Sequence, residues 1–144
     1  SQPYFEAGLR LVTTTAPIAA SADLAGRTLA LELGSDADAE ARRLRQRLPA
    51  LTLVTFATPA EALQAVVDGA ADAAVVDGVT ARQFVSQHPS ARIVGPALTS
   101  APYVIALPVK ARRLIVEVNA ALRDLQSDGT LAALEETWFG GARK

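Results

Sequence analysis

The sequence of 144 residues contains no cysteine, one histidine and one tryptophan, and only 5% of its residues are aromatic. The absence of cysteine excludes disulfides, thiolate metal sites and cysteine nucleophiles, and it is compatible with an exported protein. No apolar run approaches the roughly 20 residues that a membrane-spanning helix needs. An excess of one charge sign is also lacking, with a formal net charge of -1 and a pI of about 5.8. We therefore expect neither nucleic acid nor an anionic membrane surface as a partner.

The sequence does contain enough apolar residues for a globular domain. Half of its residues are hydrophobic and 20% are charged, a balance that is typical of a folded domain with a sizeable core. Strand patterns occur at 9–15, 27–33, 51–56, 72–76, 92–94 and 103–107. Helical patterns occur at 36–48, 58–68, 79–87 and 111–126, with a last short helix that includes Leu131, Leu134 and Trp138. This alternation predicts an α/β fold with a mostly parallel sheet flanked by helices.

Polar residues at two strand ends are candidates for contact with a small ligand. The apolar strand at 72–76 ends on Asp77, and Ser35 and Asp36 follow the strand at 27–33 after one glycine. Open α/β sheets bind ligands beyond the carboxyl ends of their strands, and a helix N-terminus can receive an anion. We therefore expect a cation site at Asp77 beside an anion site at Ser35 and Asp36, a combination that suits an amino acid.

Each of these candidates also has a structural interpretation. Asp and Ser are favoured N-caps, so Asp77 and Ser35 could each cap the helix that follows. The two interpretations are compatible, because a capped helix N-terminus still offers N–H groups to a carboxylate. The acidic side chains of Asp36, Asp38 and Glu40 would weaken an anion site at this helix.

The sequence has no motif of a catalytic or cofactor site. It lacks a Gly-x-Ser-x-Gly elbow, a phosphate-binding loop and a dinucleotide fingerprint. Ser35 has no credible histidine base, because His88 is the single histidine and has no evident carboxylate to orient it. We therefore expect a protein that is not an enzyme and that needs neither a cofactor nor a metal.

The order of short motifs resembles a known family. The motifs are Ser-Gln-Pro-Tyr at 1–4, Asp-Leu-Ala-Gly at 23–26, Gly-Ser at 34–35, Asp-Ala-Ala-Val-Val-Asp at 72–77, Pro-Tyr-Val-Ile-Ala at 102–106, Asp-Gly-Thr-Leu at 128–131 and Trp-Phe-Gly at 138–140. In this order they resemble family 3 extracellular solute-binding proteins of the polar amino acid type. Val104 and Asp36 depart from the family pattern, which more often has Gly at the first position and Thr or Ser at the second.

The resemblance implies a lobe of the type II periplasmic-binding-protein fold together with an incomplete remnant of the first lobe. By this correspondence, positions 1–20 are the end of the first lobe and an interlobe strand. Positions 21–98 are the second lobe, and 99–144 are a return strand and C-terminal helices of the first lobe.

The resemblance also implies a function. It predicts the substrate-binding component of an ABC importer, which binds a polar amino acid or a similar metabolite between two lobes and delivers it to a membrane permease. Asp77 would pair with the ligand's ammonium group, while Ser35, Asp36 and the N–H groups there would meet its carboxylate. The implied location is periplasmic or extracellular, attached to the cell surface. We expect weak binding by this chain alone, because half a cleft cannot encircle a ligand.

Two other functions remain open at this point. The same fold can act as the sensory input domain of a signalling receptor, or as a degenerate lobe that is kept for protein–protein contact. We also expect the predicted strands at 9–15 and 103–107 to lack sheet neighbours. Since exposed strand edges pair with other chains, a homodimer through the exposed first-lobe elements is a further prediction.

Overall fold

Strands and helices alternate along residues 1–139, the part of the chain that the computed structural model describes. The strands are β1 (Phe5–Glu6), β2 (Arg10–Thr13), β3 (Thr28–Glu32), β4 (Thr52–Phe56), β5 (Ala73–Val76), β6 (Arg92–Val94) and β7 (Pro102–Tyr103). The helices are α1 (Asp36–Arg47), α2 (Pro59–Val67), α3 (Gly78–Gln87), α4 (Arg112–Ser127) and α5 (Thr130–Phe139), with a 3₁₀ turn at Ser21–Leu24. Positions 140–144, which include the end of the predicted segment 99–144 and the glycine of the Trp-Phe-Gly motif, lie outside the described residues.

Local capping explains where α2 begins. The Thr58 hydroxyl accepts a hydrogen bond from the Glu61 N–H at 3.2 Å, and the Glu61 carboxylate accepts one from the Thr58 N–H, also at 3.2 Å. Pro59 occupies the first helical position, where the N–H that it lacks would have no partner. This reciprocal capping box satisfies two backbone donors at the helix start, and the N-terminus predicted for this helix is confirmed.

The main sheet has five strands in the order β4-β3-β5-β2-β6. Strand β3 runs parallel to β4 and to β5, whereas β2 is antiparallel to both β5 and β6. The predicted mostly parallel sheet is therefore confirmed, with one antiparallel strand inside it. The expectation that the strand at 9–15 lacks sheet neighbours is wrong, because β2 lies between two strands and hydrogen-bonds to both.

A second sheet consists of β1 and β7, and β7 is shorter than the strand that the sequence predicts. Strand β7 ends at Tyr103, although a strand was expected over 103–107. It pairs antiparallel with β1 and sets Phe5 opposite Tyr103. Continuing this register would set Pro3 opposite Ile105, and proline has no N–H to donate to the ladder. The pairing therefore stops after two residues.

Apolar side chains cover both faces of the main sheet. One buried cluster joins Leu29 and Leu31 of β3 to Ala41 and Leu44 of α1. The opposite cluster joins Ala30 of β3 to α2 and α3. Because successive strand residues point to opposite faces, β3 contributes to both cores. The fold therefore has three layers, with α1 on one face of the sheet and α2 and α3 on the other.

The helices after β6 are less buried than those that cover the main sheet. Within α4 only Leu122 is buried, and α5 has no buried residue. Helix α5 packs against α3 and α4. Among residues 1–139, no helix has the length and apolar character needed to cross a membrane.

Candidate functional site

Three helices begin at the same edge of the sheet. The parallel strands β3, β4 and β5 all end there, and each is followed by a helix whose N-cap is Ser35, Thr58 or Asp77, respectively. The carboxyl ends of adjacent parallel strands share one edge, so the topology brings the three helix N-termini together. Each N-terminus presents N–H groups and the positive end of a helix dipole.

A cavity of about 190 Å³ opens at this edge. It is lined by Leu9, Glu32, Ser35, Asp36, Ala37, Pro59, Val75, Val76 and Asp77. The structure therefore brings the three sequence-predicted site residues to a single cavity, although they are up to 42 positions apart in the chain (77 minus 35).

Asp77 caps α3 at the rim of this cavity. Its Oδ1 accepts the N–H groups of Val79 and Thr80, each at 3.0 Å, and its Oδ2 accepts the Thr80 hydroxyl at 2.5 Å. The capping interpretation of Asp77 is therefore correct. A carboxylate has about four acceptor positions, so three bonds leave room for a ligand donor.

Ser35 also acts as an N-cap. Its hydroxyl donates to the Glu32 carbonyl oxygen at 2.8 Å and accepts the Asp38 N–H at 3.3 Å. The hydroxyl proton is thus already used inside the protein. A ligand carboxylate would meet the N–H groups of Asp36 and Ala37, which belong to the first turn of α1 and have no acceptor within the helix.

The guanidinium group of Arg42 in α1 is bound by a carboxylate within the same helix. Arg42 Nε donates to Asp38 Oδ1 at 2.7 Å, and the Asp38 carboxylate also accepts the Gly34 N–H at 3.1 Å. The Arg42 hydrogen bond, followed by that of Gly34, holds the pKa of Asp38 below its usual range. Asp38 therefore stabilises the N-terminus of α1 by binding both Arg42 and the Gly34 N–H.

Six of the nine lining residues were not predicted as site residues, namely Leu9, Glu32, Ala37, Pro59, Val75 and Val76. Glu32 was counted only as part of a predicted strand, and Pro59 only as part of a capping box. The position of Glu32 at the carboxyl end of β3 was the available signal, since its neighbouring strand carries Asp77 at the corresponding end. Three acidic residues and no basic residue line the cavity.

Residues 1–139 contain no candidate metal site. No group of three or more His, Asp or Glu side chains there lies close enough together to hold a metal ion.

A second, apolar cavity of about 290 Å³ lies between β1, β7, α5 and the first turn of α3, which contributes Val79. Phe5 stacks on Phe139 with ring centroids 5.6 Å apart, and the Arg82 guanidinium lies 5.1 Å from the Phe5 ring centroid. The packing of Phe139 joins α5 to β1. Trp138, in contrast, is 73% exposed.

Comparison with known proteins extends these observations. No family model matches the chain. The virulence sensor protein BvgS of Bordetella bronchiseptica is 36% identical over 97% of this chain and 11% of its own length. The ABC transporter glutamine-binding protein GlnH of Bacillus subtilis is 26% identical over 96% of this chain and 50% of its own length.

A solved structure gives the same result for the fold. An ancestral arginine-binding protein bound to arginine is 31% identical, with a TM-score of 0.63 over 96% of this chain and 63% of that chain. An ancestral arginine-binding protein bound to glutamine is 32% identical, with a TM-score of 0.62. This chain thus spans about half of the glutamine-binding relative and under two thirds of the arginine-binding one.

The layered fold and the cavity at the strand ends define a lobe of the type II periplasmic-binding-protein class. Along nearly its whole length, the chain is a homologue of family 3 solute-binding proteins, and the resemblance predicted from its motif order is confirmed. These relatives are solute-binding proteins and not enzymes, and their similarity supports a ligand-binding role.

Proposed function

We propose that this chain binds a polar amino acid as part of the solute-binding component of an ABC importer. The observation that carries the proposal is the cavity that unites Asp77 with the N-terminus of α1. An ammonium group would donate to Asp77, and a carboxylate would accept the N–H groups of Asp36 and Ala37. Both would be charge-assisted hydrogen bonds, which are stronger than neutral ones.

The larger setting rests on the relatives. The name of the Bacillus subtilis protein assigns it to an ABC transporter, so a membrane permease is the partner that we propose for this chain. The corresponding location is periplasmic or extracellular, at the cell surface. Because the chain covers half of that relative, the complete binding cycle is proposed for a two-lobed protein that closes on its ligand. No catalytic step belongs to this function.

A substitution that separates charge from capping tests the proposal. Asp77→Asn retains a favoured N-cap but removes the negative charge, so α3 should stay intact while ammonium binding weakens. We expect affinity for the preferred amino acid to fall about tenfold, since hydrogen bonds to charged groups contribute about 1.5–3 kcal/mol. The measurement is a titration followed by ¹⁵N chemical shifts at millimolar ligand, which detects weak binding.

Glu117→Gln is the matched control. Glu117 is exposed on α4 and lies outside the cavity, and within residues 1–139 its one ion pair is with Arg113 at 2.8 Å. The Glu117→Gln variant should bind the amino acid with the affinity of the unaltered chain. Equal affinity of Asp77→Asn and Glu117→Gln, with both proteins folded, would remove Asp77 from the site. Failure of every amino acid to shift the cavity amides would contradict amino-acid binding by this chain.

A sensory input domain is the second candidate, and the similarity to the Bordetella sensor over 97% of this chain favours it. In this function the ligand would change the state of a signalling protein instead of being transported. Deleting the gene would then abolish a transcriptional response to the ligand and leave its uptake unchanged. Loss of uptake would favour the importer.

A second copy of this chain is a further proposed partner. Large apolar side chains are exposed on β7 and α4, including Tyr103 and Val116. Burying them between two copies would remove apolar surface from water, which stabilises an association. A third candidate function is protein–protein contact by a degenerate lobe. Such a lobe would associate with a partner but would bind no ligand.

A further inference from the structure

Arg82 of α3 lies beside the apolar cavity that β1, β7 and α5 enclose. It follows Val79 by three residues, so the two side chains share one face of the helix, and Val79 lines the cavity. The Arg82 guanidinium lies 5.1 Å from the ring centroid of Phe5 and 5.6 Å from that of Phe139, and both rings line the cavity. A positive charge therefore lies next to the aromatic wall of this cavity.

The Arg82 guanidinium is incompletely hydrogen-bonded. Its Nη1 atom is buried and has no hydrogen-bond acceptor within residues 1–139. Arg82 also takes no part in the ion pairs found in this part of the chain. Buried polar groups are nearly always hydrogen-bonded, because removing water from them has a cost. Contact with the faces of two aromatic rings compensates only part of this cost, so the guanidinium retains the capacity to bind an anion.

The cavity itself has the chemistry of a site for an apolar group. Leu131 and Leu134 of α5 line it beside Val79, and the aromatic residues of its wall are Tyr4, Phe5, Tyr103, Trp138 and Phe139. Its volume of about 290 Å³ is close to the lower limit of small-molecule pockets, which span about 300–1,000 Å³. Such a wall removes an apolar chain from water, which is favourable in proportion to the area that is buried.

One acidic residue, Glu135, also lines the cavity. Glu135 belongs to α5 and borders a neighbouring cavity that includes Gln126 of α4, whereas Arg82 belongs to α3. A ligand carboxylate is repelled by Glu135 and attracted by Arg82. The charged end of such a ligand would therefore lie at α3, and its apolar chain would lie along α5.

We infer that this cavity binds a small carboxylate with an apolar chain, and that Arg82 pairs with the carboxylate group. Because Arg82 is not itself a lining residue, its guanidinium or the Phe139 ring shifts to admit the carboxylate, and side-chain changes of this kind are common on binding. No residue lines both this cavity and the strand-end cavity that contains Asp77. The inference is therefore independent of the proposed function.

Octanoate and octanamide provide the test, because they have nearly the same shape but only octanoate is charged at neutral pH. In a titration followed by ¹⁵N chemical shifts, octanoate should shift the amides of Val79 and Leu134 and leave that of Ser35 unchanged. We expect octanoate to bind about tenfold more tightly than octanamide, since hydrogen bonds between charged groups are the stronger ones. Equal affinity of the two probes would overturn the inference, and so would the absence of any shift with octanoate.

Arg82→Gln assigns the difference between the probes to the guanidinium. This variant should lose the advantage of octanoate and retain the octanamide affinity. Arg47→Gln is the matched control, because Arg47 is an exposed arginine in the last turn of α1 and lies outside the cavity. A loss of stability in Arg82→Gln with an unchanged ratio of the two affinities would give Arg82 a packing role only and would overturn the inference.

Val79→Asp tests the same point with Arg82 in place. An aspartate in the first turn of α3 is favourable to the helix dipole, and it lies three residues from Arg82, at the spacing of an ion pair within a helix. It should occupy the guanidinium and remove the tenfold advantage of octanoate over octanamide. If that advantage persists in the folded variant, the carboxylate does not bind at Arg82 and the inference fails.

A second copy of this chain is the competing occupant, because the exposed Tyr103 and Trp138 belong to the cavity wall. The titration is therefore made at low protein concentration, and the cavity amides are also recorded during dilution without a probe. Cavity amides that shift on dilution and do not respond to octanoate would assign the cavity to a contact between copies and overturn the inference.

Discussion

At the scale of single residues, Gly8 marks the point where two chain segments cross. The Leu9 N–H donates to the Thr99 hydroxyl at 3.0 Å, and the Leu98 N–H donates to the Leu9 carbonyl at 2.8 Å. A Cβ at Gly8 would lie 1.8 Å from the Thr99 carbonyl oxygen. No side chain fits this space, so glycine is required here for close approach and not for its backbone angles.

Replacing this glycine should separate the two segments. Gly8→Ala should lower the free energy of unfolding by about 3 kcal/mol, at the upper end of overpacking effects. Gly26→Ala is the control, because Gly26 has a φ of +72° but nothing within 4 Å of its added Cβ. Its expected cost is about 1–2 kcal/mol from the left-handed backbone alone. Urea unfolding measures both, and an equal loss would contradict the steric argument.

At the scale of elements, Glu6 joins β1 to the segment that leads into β7. Its carboxylate accepts the Ala101 N–H, the Ser100 hydroxyl at 2.9 Å and the Gly8 N–H at 3.0 Å. The Ala101 hydrogen bond, and then the Ser100 one, lower the pKa of Glu6 from its usual range. One side chain thus ties together both segments that cross at Gly8.

This tie should be lost in acid. Because the pKa of Glu6 is depressed in the folded chain, its stabilisation is complete above the unfolded pKa and disappears as pH falls through the folded one. The Ala101 amide shift should therefore titrate with a midpoint below the ordinary glutamate range. Glu6→Gln should abolish this titration, and Glu117→Gln should leave it unchanged. A midpoint at or above the ordinary range would contradict the hydrogen-bonded arrangement.

At the scale of the whole molecule, apolar exposure is concentrated after β6. Nine of the eleven exposed large hydrophobic residues of the described chain lie between Tyr103 and Trp138. In the layered part at 21–98, only Leu33 has this character. Contiguous apolar patches on a protein surface mark interaction sites, so the surface of β7, α4 and α5 is where association should occur.

Self-association through this surface is the corresponding prediction. The sedimentation coefficient should rise with protein concentration, and Val116→Glu should reduce this rise because it introduces charge into the contact. Leu33→Glu is the matched control, since Leu33 is 63% exposed and Val116 is 65% exposed. A monomer at every concentration would exclude the homodimer. Equal effects of the two substitutions would place the contact elsewhere.

Much of the fold could be predicted from the sequence because it depends on residues close together in the chain. The capping box of Thr58 and Glu61, and the N-caps Ser35 and Asp77, are made by side chains within three residues of their backbone partners. The alternation of strands and helices is equally local, since it follows from the spacing of apolar residues. The three candidate site residues were found because strand ends can be read from this pattern.

Tertiary structure alone decided which strands are neighbours. The placement of β2 between β5 and β6 depends on pairing with residues more than 60 positions away in the chain, since Leu11 lies opposite both Val75 and Val94. The addition of Glu32 and Pro59 to the cavity likewise follows from the meeting of β3, β5 and α2 in space. Most of the elements, their caps and the family resemblance could thus be predicted from the sequence, since these depend on local order, whereas β1 and the short length of β7 could not. The charge of the cavity and the exposed apolar surface were decided by long-range packing, which no local spacing encodes.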